Sequence, residues 1–131
     1  MIRPLIFLTL ALTSIQAYSQ RMDPSDMVNR EKQYLYDHLP NVSTDQKELM
    51  EGIYAEFLQS ITEYRDDVQS GKMERGKMYE NMAKLRDEKN LLMKDLLNDE
   101  QYSIYMSMVE KNQKQIEQRR QERQNVTTSP Q

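Results

Sequence analysis

Cysteine and tryptophan are absent from the 131 residues, histidine occurs once, and glycine and proline occur only three and four times. Without cysteine the chain has no disulfide to compensate for a thin core, no thiolate for a metal and no thiol nucleophile. The single histidine, His38, stands next to Leu39-Pro40, where a serine–histidine–acid arrangement would have to be built around a helix end. Scarce glycine and proline mean few turns, and therefore long elements. Apolar residues make up 37% of the chain and aromatics 8%. A small domain of this composition buries little, which argues against parallel sheets, dinucleotide folds and deep enclosed pockets.

The N-terminus has a different character from the rest. Met1-Ile2-Arg3 is a short positive start, Leu5 to Leu12 is an apolar run, and Ala17-Tyr18-Ser19 is a small-x-small end. This pattern predicts a signal peptide over 1–19, cut before Gln20, and hence export. The apolar run is too short to span a membrane, and no span is expected in the mature form. With Arg3 removed, 17 basic face 21 acidic side chains, a net charge of −4. Such a chain is a poor general partner for nucleic acid.

From Asp26 to Gln124 the sequence is rich in Glu, Lys, Gln, Arg, Met and Leu, all good helix formers. Pro24-Ser25 opens a short helix, Met27 to His38, which Leu39-Pro40 stops. Thr44 to Gln69 carries Leu49, Met50, Ile53, Tyr54, Phe57, Leu58, Ile61, Tyr64 and Val68 in three- and four-residue steps. Ser70-Gly71 follows as a C-cap. Met73 to Leu96 carries Met78, Met82, Leu85, Leu92, Met93 and Leu96, with Lys89 interrupting the stripe. Asp99 to Gln124 has Tyr102, Tyr105, Met108 and Val109, then only Ile116. The expectation is an all-α domain over 20–124, with one short and three long helices in an elongated antiparallel layer, and a flexible tail over 125–131. Narrow apolar stripes leave such a layer with exposed apolar surface, which predicts a homodimer.

Two helix starts share one pattern. Val42-Ser43-Thr44-Asp45-Gln46 precedes the second helix and Leu97-Asn98-Asp99-Glu100-Gln101 the fourth. Ser43 and Asn98 can accept from free N–H groups of the first turn, while Gln46 and Gln101 reach back to the cap. Leu97 and Tyr102 also occupy the two positions of a hydrophobic staple. In these two motifs, and in Gly71-Lys72-Met73 and Leu96 to Tyr102, the chain resembles the Spy/CpxP-like family, marked by a repeated Leu-Thr-x-x-Gln. Val42-Ser43 replaces Leu-Thr in the first motif and Asn98 replaces Thr in the second; both keep Gln. The resemblance covers about Tyr34 to Arg123. It implies a four-helix subunit in a cradle-like dimer. Members of that family include an ATP-independent periplasmic chaperone, an inhibitory partner of an envelope-stress sensor kinase, and proteins linked to heavy-metal responses.

The remaining side chains point away from catalysis. Asp66-Asp67 and Asp99-Glu100 read as solvating and capping pairs rather than acid/base pairs. One histidine and no thiolate make no zinc site, so no metal, no cofactor and no catalytic residue are expected. Methionine is the more informative residue, serving either as core filler or as an adaptable contact surface; its irregular spacing argues against a soft Cu(I) site. The run from Lys111 to Arg123 holds five basic and two acidic residues. It reads as a solvated helix end, or as a means of steering acidic partners. Together these features predict a non-enzymatic, ATP-independent chaperone-like protein. It would bind unfolded envelope proteins through Met73, Met78, Met82, Tyr105, Met108, Arg119 and Arg120. The alternatives are a regulatory partner of a periplasmic sensor domain and, less favoured, a metal-response protein.

Overall fold

The computed structural model describes residues 23–128. The expected signal segment, its cut before Gln20 and the last residues of the expected tail lie outside the described residues. Four helices follow in order: α1 Pro24–His38, α2 Thr44–Gln69, α3 Arg75–Leu96 and α4 Asp99–Thr128, with no strand among the described residues. The expected all-α class is therefore the observed one.

Each boundary has a local cause. Asp23 caps α1 by accepting from the Ser25 N–H at 3.1 Å, with Pro24 as the first helical residue. At the other end, extended Leu39 precedes Pro40, and Asn41 takes a left-handed φ of 53°, which asparagine tolerates better than most residues. The end of α2 is a Schellman motif. Gly71 has φ 79°, its N–H donates to the Val68 carbonyl at 3.2 Å, and the Lys72 N–H donates to that of Asp67 at 2.8 Å. The Met73 N–H also goes to Asp67, at 3.1 Å. Residues 72 and 73 are thus occupied in closing α2, and α3 begins at Arg75 rather than at Met73 as expected. Two further differences are at the ends of the domain: α1 begins at Pro24 rather than at Met27, because Asp23 caps it there, and α4 runs on to Thr128 instead of fraying after Gln124. Nothing before Ser129-Pro130 breaks a helix.

At 1.5 Å per residue, the 26 residues of α2 span about 39 Å and the 30 of α4 about 45 Å. The core occupies only part of that length. Val28, Leu35 and Leu39 from α1 meet Met50, Tyr54, Phe57 and Ile61 from α2, Met93 from α3, Leu97 after it, and Tyr105, Met108 and Val109 from α4. From Thr62 to Glu88 no residue is buried. The α2/α3 hairpin is therefore anchored at its Pro40/Leu97 end and bare at its Gly71 end.

Candidate functional site

The anchored end is closed by the two repeated motifs, which meet. Both form capping boxes. The Ser43 hydroxyl accepts from the Gln46 N–H at 3.0 Å and the Gln46 amide oxygen accepts from the Ser43 N–H at 3.1 Å. Asn98 and Gln101 do the same at 2.8 and 3.0 Å. The two glutamine amides then pair with each other, at 2.9 Å in one direction and 3.3 Å in the other. The second hydrogen of each reaches a carbonyl of the segment before the other cap. Gln46 donates to Leu96 at 3.2 Å and Gln101 to Pro40 at 2.8 Å. Every hydrogen-bonding position of both amides is used in this ring, and Gln101 is 1% exposed. Leu97 is buried, while Val42 and Tyr102 pack against the same cluster. The motif residues are architectural: they lock the two helix starts together.

A charged centre lies inside the core. Lys89 Nζ sits 3.2 Å from the Glu31 carboxylate, and Lys89 is only 6% exposed. Three rings surround the ammonium, with centroids at 4.3 Å (Phe57), 5.1 Å (Tyr54) and 6.0 Å (Tyr105). Tyr54 donates its hydroxyl to Glu31 at 3.3 Å, and Tyr105 donates to Asn90 at 2.6 Å. Glu31, Tyr54, Lys89 and Tyr105 come from α1, α2, α3 and α4, so this one ammonium ties all four helices together. Burial pushes it below the ordinary lysine value, against the opposing attraction of Glu31.

The tyrosines set the alkaline limit. Burial pushes the Tyr54, Tyr105 and Tyr36 hydroxyls above the ordinary 10.0, and carboxylates reinforce the shift, Glu31 at the first two and the Glu51 bond at the third. A raised folded value gives a contribution that is complete below pH 10 and is lost as the pH rises beyond it. Lys89 has the opposite sign: its folded value lies below the usual 10.5, so its deprotonation favours the fold only up to that pH. The expected result, read by circular dichroism, is a urea midpoint that falls continuously once the pH exceeds 10. A midpoint still flat at higher pH would show that the phenols ionise freely in the fold.

Two kinds of surface remain. At the bare end, Met73 and Met78 are half-buried, Tyr79 is 60% exposed, and Tyr64 and Val68 of α2 are also half-buried. Nearer the anchored end, two adjoining recesses lie between α2 and α3. One, of about 140 Å³, includes Ile53, Glu56, Leu85, Glu88 and Leu92. The other, of about 340 Å³, is lined by Leu49, Ile53, Leu92, Asp95 and Leu96. They share Ile53 and Leu92 and form one open groove with an acidic rim.

The expected contact residues divide accordingly. Met73 and Met78 lie half-buried at the bare end of the hairpin, Met82 packs against the edge of the core, and Arg119 and Arg120 stand exposed on α4. Tyr105 and Met108 are buried in the core and present nothing to a client. Their three-residue steps, Tyr102 to Tyr105 to Met108, made them indistinguishable in sequence from an outward stripe. Glu31 was missed, although a signal existed: Glu31 and Lys89 each interrupt an otherwise apolar helix face, with opposite charges.

His38 is a helix-end residue. Its Nδ1–H donates to the Tyr34 carbonyl at 2.8 Å, and the two rings stack 4.0 Å apart. Among the described residues, no group of three or more His, Asp or Glu side chains could hold a metal ion, and no helix is long and apolar enough to cross a membrane. Comparison of the chain with protein-family models, with curated proteins and with solved structures finds no match.

Proposed function

We propose that this chain is an exported, non-enzymatic holding protein of the Spy/CpxP-like kind. On this reading it binds partly unfolded envelope proteins without ATP, through the bare tip of the α2/α3 hairpin. The observation that carries this is the absence of any buried residue from Thr62 to Glu88, on a stretch that nonetheless presents Tyr64, Val68, Met73, Met78 and Tyr79, none of which packs against the core. An apolar surface with no core beneath it contributes little to the fold. Unbranched methionines with three rotatable bonds repack against varied sequences. Contacts of this kind are weak and broad, which lets a bound client continue to fold.

The test is light scattering from a chemically unfolded client diluted into buffer without nucleotide, with and without equimolar protein. Suppressed scattering is expected from the wild type. A Met73→Gln/Met78→Gln/Tyr79→Gln variant should lose most of that effect while its urea midpoint hardly moves, because none of the three residues is buried. Unchanged scattering from folded wild-type protein would overturn client holding. Capture of a single stoichiometric envelope partner would then place the protein with a signalling receptor.

A further inference from the structure

The second half of α4 extends beyond the buried core. After Glu110 every side chain through Val126 is exposed except the half-buried Asn112, yet the helix continues. This arm is not uniform around its axis. Ile116, Arg119, Arg120 and Arg123 recur at three- and four-residue steps and share one face, whereas Glu117 and Glu122 fall on others. Ile116 is 51% exposed. The arm therefore has a face with one apolar anchor and several arginines.

The groove between α2 and α3 has the complementary character. Its apolar residues Leu49, Ile53 and Leu92 are flanked by the carboxylates of Glu56, Glu88 and Asp95. Leu49 is 57% exposed and Leu92 48%. Lys89, the one basic residue among the described residues that line the groove, is already paired with Glu31. Glu88 and Asp95 are seven residues apart on α3, about 10 Å. Within one chain the two surfaces do not meet, since the arm is exposed and the groove is open.

We propose that the basic arm of α4 docks in the acidic α2/α3 groove of a second copy, each chain giving its arm and receiving the other's. Ile116 lies over Leu49, Ile53 and Leu92 of the partner copy, and Arg119 and Arg120 pair with the rim carboxylates. Reciprocal exchange makes the same contact twice and closes a dimer. The groove is thereby covered, while the hairpin tip stays available. This pairing does not depend on client holding, and the tip variants above leave it untouched.

The test is sedimentation velocity of the full-length chain, expressed with its own N-terminus, over a concentration series at low and high salt. A dimer that weakens with salt is expected. Arg119→Glu/Arg120→Glu should raise its dissociation constant by at least about 10-fold, since like charges then face each other. Adding Glu56→Lys, Glu88→Lys and Asp95→Lys to that variant should recover the wild-type constant to within about threefold. All five positions are exposed, and unchanged helical circular dichroism verifies the fold of each variant. A dimer indifferent to both sets of charges would overturn the proposal, as would species larger than a dimer. So would a monomer, including one that dimerises only after removal of residues 1–22, since the groove would then belong to that segment.

Discussion

Replacing Glu31 by alanine should lower the free energy of unfolding by about 3–5 kcal/mol, because it leaves the Lys89 ammonium buried without a counter-charge. The loss is a large fraction of the roughly 5–15 kcal/mol that holds a typical domain together. The ammonium cannot escape to water without leaving Phe57, Tyr54 and Tyr105, whose rings lie within 6.0 Å of it. Lys89→Met strands the carboxylate instead, which retains only the Tyr54 hydroxyl. The double replacement Glu31→Leu/Lys89→Met removes both charges and keeps the volume, so it should be near wild type or more stable. Urea unfolding followed at 222 nm measures all three. A single-variant loss below about 1 kcal/mol, the value of an exposed ion pair, would mean that water reaches the pair.

Gln101→Ala is the second large effect. It leaves the Pro40 carbonyl, the Asn98 N–H and one side of Gln46 without partners at a buried site, a loss of about 3 kcal/mol. Gln46→Ala should be milder, since Gln46 is only partly buried. The two changes should not add: their coupling should exceed about 0.5 kcal/mol, the limit expected for independent sites. Gln101→Glu is the sharper variant. Glutamate still completes a capping box, but when ionised it cannot donate to Pro40 or to Gln46. A loss close to that of alanine, relieved at acidic pH, would separate the interhelical ring from ordinary capping. If Gln101→Glu matched wild type at neutral pH, only the cap would matter.

The helices were legible because their signals are local. Pro40, Gly71 and the two Gln-bearing starts act on neighbouring backbone groups, and three- and four-residue steps report one face of α2 directly. Errors fell where a boundary depended on hydrogen bonds from outside the helix. The Met73 N–H belongs to the turn that ends α2, so α3 starts at Arg75. Periodicity also says that a face is apolar, not what covers it. Tyr105 and Met108 therefore read like Met78, although the first two are core and Met78 stands where no core exists.

The all-α class, four helices in order, the Ser43 and Asn98 caps, the Gly71 stop and a composition too polar for a deep pocket can all be read from the residues in order. Each of these follows from interactions within a few residues or from bulk composition. The packing of the helices is what brings Gln46 to Gln101 across 55 positions and Lys89 to Glu31 across 58. It alone decided that the core stops at Ile61 and Lys89. Contacts between residues this far apart depend on how helices pack, and helix packing selects among faces that the linear pattern leaves equivalent.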